Sequence, residues 1–241
     1  MKKLAFYTCY FGGNYNYSKL IPPIPSCTYD CYYFTNNKEI LDELNSINAQ
    51  INTQNHNKWI IIFMENIPRH DDWILSAMST KELRSCPHHY EILKNYEYLC
   101  WFDTKLEVFE NVVMKYMDKL ENSEKVWALT KHPYSDKYTN VWDEYNIAIG
   151  CPKYGSQKEM YQSYIEKKIK NGYLENIDIF YCCGFTLKKM CEKTKEINEF
   201  WYKEIQECGI EDQISFQFVQ QKNADLFLTL DYQESWKYFY E

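Results

Sequence analysis

Short apolar runs alternate with amphipathic, helix-like segments along the 241 residues of this chain. The apolar runs predict strands at residues 4–10, 30–35, 59–64, 97–102, 126–130, 177–182 and 226–230. The amphipathic segments predict helices at residues 38–47, 112–120, 158–171, 190–208 and 211–221, and a helical region from Asp71 to about Tyr96 that Pro87 interrupts. Because parallel strands need crossover connections, this alternation predicts an α/β protein with a mostly parallel, mixed central sheet flanked by helices.

We expect residues 1–241 to form a single domain, because the chain is long enough to bury a sizeable core and shows no repeat, low-complexity tract or linker. The ten cysteines are scattered from Cys9 to Cys208 without a C-x-x-C pair or a regular spacing. This distribution argues against a zinc module and against a small disulfide scaffold, and it favours a reducing compartment.

The chain is acidic, with a formal net charge of -7 at pH 7 and a pI near 5.4. It has no basic tract that would follow a phosphate backbone, so nucleic acid is not expected as a partner. No apolar run of about 18 residues and no signal peptide is present, so we expect no membrane span and a cytoplasmic location. Abundant Asn, Lys, Ile and Tyr are typical of an AT-rich genome and indicate a viral or bacterial source.

Several well-known functional motifs are missing from the sequence. No G-x-S-x-G, H-E-x-x-H or G-x-G-x-x-G occurs, which argues against a hydrolase elbow, a zincin and a dinucleotide-binding turn. Residues 150–156 have the glycine spacing of a phosphate loop but lack its lysine. His88 and His89 are the one close histidine pair. Because adjacent side chains diverge on a helix or strand, we expect that these two rings cannot easily share a metal ion.

The strongest functional signal is an acid at the end of an apolar strand. The run that ends at Phe102 is followed by Asp103 and then by Lys105. If the chain is still extended there, the two side chains face the same way. A buried carboxylate without a partner costs several kcal/mol, so Asp103 needs Lys105, a metal ion or a ligand hydroxyl beside it. Ligands of open α/β sheets bind beyond the carboxyl ends of the strands, where this pair lies.

Other charged or amide side chains are expected at strand ends or helix starts. They form four pairs along the sequence: Arg84 with His88, Lys131 with His132, Asp143 with Glu144, and Asp212 with Gln213. Residues in three of these pairs also have a structural interpretation. Asp212 suits a helix N-terminus, Glu144 suits a solvated helix face, and His132 suits a satisfied loop histidine.

Five segments of the sequence resemble, in the same order, a glycosyltransferase-like family. Its plant members are associated with mucilage polysaccharide synthesis and turgor regulation, and bacterial members exist. The segments are residues 6–13, 33–37, 87–88 with 101–105, 131–133 and 212–216. The chain departs from the family pattern at Asn36, where an acid is usual, and at residues 135–137, where an Arg is common. The resemblance implies a GT-A-like fold in which one α/β domain binds a nucleotide sugar.

The resemblance also implies a reaction, namely transfer of a hexose-like sugar from a UDP- or GDP-sugar to an acceptor hydroxyl on a glycan or glycoprotein. Asp212 is the first candidate for a catalytic base or donor-orienting acid, and Glu144 is the second. We expect Thr8 and residues 34–36 to line the nucleotide pocket at the ends of the first two strands. The full set of expected donor-binding residues is Thr8, Phe34, Thr35, Asn36, Arg84, His88, Asp103, Lys105, Lys131, His132 and Gln213.

The role of a divalent metal is left open by the sequence. Many sugar transferases hold Mn²⁺ or Mg²⁺ with an acid-x-acid pair. Here Asp103 is the one candidate ligand, and Lys105 could instead place its charge directly on the leaving diphosphate. Two other classes of function are also open: a non-catalytic carbohydrate- or nucleotide-binding module on the same scaffold, and an interaction protein with a tyrosine-rich surface.

Overall fold

The structure is a computed structural model of the chain, and it describes residues 2–13, 20–51, 57–68 and 72–238. Asp71, the first residue of the predicted helical region, lies outside these ranges. Asp72 is described and caps the observed helix through hydrogen bonds from the backbone N–H groups of Ile74 and Leu75.

The described residues contain nine strands: β1 (Lys2–Tyr10), β2 (Asp30–Thr35), β3 (Trp59–Phe63), β4 (Tyr96–Phe102), β5 (Leu106–Val108), β6 (Trp127–Lys131), β7 (Tyr181–Lys189), β8 (Phe227–Leu230) and β9 (Trp236–Tyr238). Seven of them form the central sheet, in the spatial order β3-β2-β1-β4-β7-β6-β8, and β5 and β9 lie outside it. Within the sheet only β7 runs antiparallel to its neighbours β4 and β6, among the residues described. The predicted mostly parallel, mixed α/β sheet is therefore confirmed.

The helices cover both faces of this sheet. They are α1 (Lys38–Gln50), α2 (Trp73–Ser85), α3 (Glu110–Glu121), α4 (Val141–Ala148), α5 (Pro152–Gly155), α6 (Lys158–Lys170), α7 (Glu192–Cys208), α8 (Asp212–Asn223) and α9 (Tyr232–Ser235). Two short 3₁₀ turns, Pro87–His89 and Glu91–Leu93, connect α2 to β4. None of the helices in the described ranges is long and apolar enough to cross a membrane.

Alternation along the strands divides the core between the two faces. In β1, Leu4 and Phe6 pack on the side covered by α1 and α3, whereas Ala5 and Tyr7 pack on the side where α2 contributes Leu83. Because side chains of a strand point to opposite faces in turn, an apolar run with both faces covered is expected to be buried along its length, as residues 4–9 of β1 are.

Two predictions about strands need correction. The strand predicted at residues 177–182 is wrong in its bounds, because β7 begins only at Tyr181 and continues through Gly184 to Lys189. The sequence also gave no indication of β5 and β9, which pair into a separate two-stranded sheet. Both are three residues long, and this is too short for a period-two pattern to be recognised.

Candidate functional site

A cavity of about 620 Å³ opens beyond the carboxyl ends of β1 and β4. Its walls come from the end of β1, from one side of α2, from residues 103–105 after β4, and from residues 152–154 of α5. This is the edge of an α/β sheet at which ligands bind. A larger cavity of about 770 Å³ lies near residues 21–27, and none of its described lining residues is charged.

The smaller cavity is strongly cationic for a chain that is acidic overall. Among the described residues that line it, one is acidic, Asp103, and four are basic: Lys81, Arg84, Lys105 and Lys153. Local cations can reverse the sign of the overall charge at a site. The cavity therefore suits a small anionic ligand.

Asp103 occupies a turn that leaves the sheet directly after β4. Its backbone N–H donates to the Gly184 carbonyl at 2.8 Å, and its carbonyl accepts from the Leu106 N–H at 2.9 Å. The chain is therefore not extended from Asp103 to Lys105, so the condition under which strand alternation would align the two side chains is not met. The turn still brings the two side chains together, with 3.9 Å between Lys105 Nζ and Asp103 Oδ2.

Arg84 lies between two carboxylates on the inner wall of the cavity. Its Nη1 is 3.8 Å from Asp103 Oδ1, and its Nη2 contacts Asp212 Oδ2. The guanidinium also lies 5.1 Å from the ring centre of Trp201. Its side chain is 4% exposed, so the charge is fixed in place by buried partners rather than by water.

Asp212 lies behind the cavity wall and holds two of its cations. Besides the contact with Arg84, Asp212 Oδ1 accepts from Lys81 Nζ at 2.8 Å. Burial lowers the pKa of the Lys81 ammonium, and the nearby Arg84 lowers it further, while Glu211 and Asp103 oppose that shift. The sequence analysis missed Lys81. Its spacing of three residues from Arg84 on a helix was the available signal, because such pairs share one face.

Glu144 and Gln213 form a second layer behind this cluster. Gln213 Nε2 donates to Glu144 Oε1 at 3.1 Å, and Gln213 Oε1 accepts from the Cys183 N–H at 3.3 Å. Burial and the negative charge of Glu211 raise the pKa of Glu144 to about 8. Glu144 is 7% exposed, so it occupies a buried position on α4 and not the solvated helix face that was considered for it.

The residues of β1 and β2 that were expected to bind the donor lie in a different environment. Thr8, Phe34 and Thr35 are fully buried, and none of them lines the cavity described above. Asn36 is bonded on both sides: its Oδ1 accepts from the Gly12 N–H at 2.9 Å, and its Nδ2 donates to the Pro68 carbonyl at 2.8 Å. The structure therefore places these four expected donor-binding residues in the protein interior, outside the lining of the cavity.

Lys131 and His132 follow β6 and lie outside the cavity lining. Lys131 Nζ forms an exposed ion pair with Asp136 at 2.6 Å. Burial lowers the pKa of His132 to about 4, and the charge of Lys105 acts in the same direction. His132 is therefore neutral at pH 7 and adds no positive charge to this side of the molecule.

His88 is separated from Arg84 although the two are four residues apart. Helix α2 ends at Ser85, and the 3₁₀ turn that follows directs His88 towards α7, where its Nε2 lies 2.9 Å from Glu199 Oε1. His89 Nε2 lies 2.5 Å from the same oxygen. The expectation that the two rings diverge is wrong, because neither helix nor strand geometry holds in this turn.

Comparison with known proteins identifies the fold and not the substrate. No protein-family model and no curated protein matches the sequence. The fold is similar to that of mouse xyloside xylosyltransferase 1 in its apo form (TM-score 0.52, 10% identity, 95% of this chain and 85% of that chain). It is also similar to core-mannan synthase A (CmsA/Ktr4) of Aspergillus fumigatus in its Mn/GDP form (TM-score 0.51, 13% identity, 99% and 75%). The mannosyltransferase Ktr4p of S. cerevisiae is a further match (TM-score 0.50, 10% identity, 99% and 70%). The chain therefore has a GT-A-like glycosyltransferase fold.

Proposed function

We propose that the protein is a glycosyltransferase that moves a hexose-like sugar from a UDP- or GDP-sugar to an acceptor hydroxyl on a glycan or glycoprotein. The observation that carries the proposal is the cavity at the carboxyl ends of β1 and β4, in which four basic side chains face one carboxylate within a GT-A-like fold. The Mn/GDP form of a similar structure supports a nucleoside diphosphate as the bound group.

The cations would stabilise the leaving diphosphate. Lys81, Arg84, Lys105 and Lys153 line one cavity, so several positive charges can approach the phosphate oxygens at once. Preorganised charges in a partly water-excluded site stabilise the negative charge that develops as the glycosidic bond breaks. Asp212 keeps Lys81 and Arg84 in place before the donor arrives, so we assign it a positioning role on the donor side.

Asp103 would accept hydrogen bonds from hydroxyl groups of the donor. Its carboxylate is 29% exposed towards the cavity, and Trp101 Nε1 donates to its Oδ1 at 3.2 Å. A carboxylate held at one edge of a cationic pocket orients a polyhydroxylated group, while the cations take the phosphates. Glu144 reaches this region only through Gln213 and Cys183, so it supports the site from behind.

The residues of the cavity do not fit a divalent metal ion well. Mg²⁺ and Mn²⁺ prefer several oxygen ligands, of which carboxylates supply the charge. The described lining offers a single carboxylate, and that carboxylate already has Arg84 at 3.8 Å and Lys105 at 3.9 Å. We propose that side-chain cations neutralise the diphosphate, so turnover should not require added Mn²⁺ or Mg²⁺. Strict dependence on Mn²⁺ would contradict this assignment.

We further propose that residues 1–241 act as one nucleotide-sugar-binding domain and belong to the mucilage-related family. The motif around Asp103 and the Asp212–Gln213 pair supports the proposal, since these residues lie at or directly behind one cavity.

The experiment that tests the proposed function begins with a panel of UDP- and GDP-sugars. A true donor should raise the melting temperature and should be turned over, either to a glycosylated acceptor or by slow hydrolysis. In the same assays Asp103→Asn should lower turnover by about 100-fold or more, whereas Asp136→Asn, at an exposed ion pair, should not change it. Donor binding without turnover would instead support the non-catalytic module, and no binding of any donor would refute the proposal.

A further inference from the structure

We propose that the chain binds a zinc ion at the junction of α2 and α7, through Cys86, His88, His89 and Glu199. One ligand atom from each of these residues lies within 4.8 Å of the others. The group lies outside the lining of the cavity described above, and no step of the proposed reaction uses it.

The spacing of the ligand atoms is close to that of a tetrahedral site. Two ligand atoms bound to one zinc ion are separated by about 3.3–3.6 Å, since Zn–N is about 2.0 Å and Zn–S about 2.3 Å. Glu199 Oε1 lies 2.9 Å from His88 Nε2 and 2.5 Å from His89 Nε2. These two distances are shorter than the tetrahedral separation by about an ångström or less, and all the other pairs of ligand atoms lie within 4.8 Å, so side-chain shifts of about an ångström would admit the ion.

The ligand types favour zinc over the other divalent ions common in cells. One thiolate, two imidazoles and one carboxylate form a mixed S, N and O set, which suits Zn²⁺ and is poor for Mg²⁺ or Ca²⁺. Zinc binding would release the thiol proton of Cys86 to solvent and leave the thiolate as ligand. The His88 ring or the Asn198 amide must turn in this process, because Asn198 Nδ2 lies 3.3 Å from His88 Nδ1 and both atoms donate once Nε2 is bound to zinc.

The site has a buried side and an open side. Cys86 is fully buried, whereas the side chains of His89 and Glu199 are 39% and 52% exposed. An ion can therefore enter from solvent and reach the thiol last. Three of the ligands come from one short segment, and the fourth comes from α7, so zinc would tie the C-terminal end of α2 to α7.

This location connects the ion to the cationic cavity through the backbone. Arg84 precedes Cys86 by two residues, and its carbonyl accepts from Lys188 Nζ at 2.9 Å. Lys188 also donates to Asn198 Oδ1 at 2.8 Å, beside Glu199. Zinc would therefore hold in place the end of the helix that carries Arg84, as a structural ion rather than a catalytic one.

The test is metal titration of the purified full-length chain after chelator treatment. Cobalt(II) serves as the visible probe, since a tetrahedral site with one thiolate shows d–d bands together with a thiolate-to-cobalt charge-transfer band. We expect saturation at about one equivalent and displacement by zinc. Zinc should also raise the melting temperature of the native chain.

Four variants decide the assignment. Cys86→Ser should lose the charge-transfer band, and His89→Gln, at a ring that is 39% exposed, should weaken binding by at least about tenfold. Cys27→Ser, at an exposed cysteine elsewhere, and Asp103→Asn should bind cobalt as the native chain does. The proposal is overturned if no stoichiometric binding occurs, if Cys27→Ser removes the band, or if His89→Gln binds with native affinity.

Discussion

The carboxyl ends of β2 and β4 lie at the same edge of the sheet, and their chemistry differs sharply. At the end of β2, Asn36 and Asn37 both bind the backbone of Gly12, in the loop that follows β1. Asn36 Oδ1 accepts from the Gly12 N–H, and Asn37 Nδ2 donates to the Gly12 carbonyl. At the end of β4, Asp103 faces Arg84 and Lys105 across an open cavity. Both ends were expected to contact the donor.

The difference shows that position at a strand end is not sufficient for ligand binding. Neutral amides are stable inside a protein when every donor and acceptor is paired, so the end of β2 can be closed by loops. Charged groups are costly to bury, so the cluster at the end of β4 stays next to a cavity in which solvent or a ligand completes it. We expect substitutions at β2 to affect stability and those at β4 to affect function as well.

The largest effect is expected at Arg84, because this residue contributes both to stability and to the proposed function. Arg84→Met removes one of the two cations that contact the buried Asp212 and leaves Lys81 as its partner, so the unfolding free energy should fall by about 3 kcal/mol. Turnover should be lost as well. Urea denaturation measures the change. Lys115→Met is the matched control, because its pair with Glu234 is exposed and 3.6 Å long, and it should cost less than about 1 kcal/mol. Equal losses of unfolding free energy in the two variants would contradict the expected difference between a buried and an exposed ion pair.

Asn36→Ala tests the closed strand end. It removes the partner of the Gly12 N–H and two further hydrogen bonds, so we expect a loss of about 1–3 kcal/mol in unfolding free energy. The dissociation constant of the donor should change by less than about threefold, or about 0.7 kcal/mol. Asn122→Ala, at an exposed end of α3, serves as the control for stability. A large loss of donor affinity at unchanged stability would place Asn36 in the binding site after all.

Glu144→Gln tests whether the stability of the charged cluster near the end of β4 depends on pH. The pKa of Glu144 is raised from its ordinary 4.5 to about 8 in the folded chain, so between these pH values the folded state holds a proton that the unfolded state has released. The stability that this proton contributes is complete below pH 4.5 and is lost as pH rises to about 8. The glutamine variant should therefore gain about 1 kcal/mol or more relative to the native chain between pH 5 and pH 8.

Thermal or urea unfolding at three pH values measures this difference. Glu159→Gln, at an exposed position in the first turn of α6, should show no such trend. The effect of Asn36→Ala should also be independent of pH, because amides do not titrate. A constant difference between Glu144→Gln and the native chain would refute the raised pKa.

The smallest effect is expected at Gly184. A Cβ at this position would lie 3.0 Å from Asp103 Oδ2, so Gly184→Ala should push the carboxylate by a few tenths of an ångström. We expect a loss of turnover of about threefold to tenfold, with little change in stability. Steady-state kinetics measures the loss. Gly150→Ala is the control, since its Cβ would meet the nearest atom at an ordinary 3.4 Å. No loss of turnover at Gly184 would show that the placement of Asp103 is not limiting.

The sequence predicted some elements almost to the residue. β2 coincides with the predicted strand at residues 30–35, and β4 begins one residue before the predicted start. These strands are buried on both faces, so they appear in the sequence as continuous apolar runs. β7 was misjudged because Gly184 looked like a strand end. Only the approach of Asp103 explains a glycine inside that strand.

The site was predicted unevenly for a similar reason. Asp103, Lys105 and Arg84 were expected to bind the donor and do line the cavity, whereas Lys81, Lys153 and the buried Glu211 were missed. An acid after an apolar strand is a local anomaly that sequence reasoning can detect. The spacing of three residues between Lys81 and Arg84 is a weaker signal, because basic pairs of this spacing are common on helices and only the shared partner Asp212 distinguishes this one.

The sequence by itself determined that apolar strands alternate with helices and that a lone acid follows the fourth strand, because hydrophobic periodicity is a local property of the chain. Tertiary structure alone decided that Asp212 meets Lys81 and Arg84, that Asn36 closes a loop, and that the His88 and His89 rings converge on Glu199. These contacts join residues far apart in the chain, and they follow from sheet order and helix ends that no local pattern encodes.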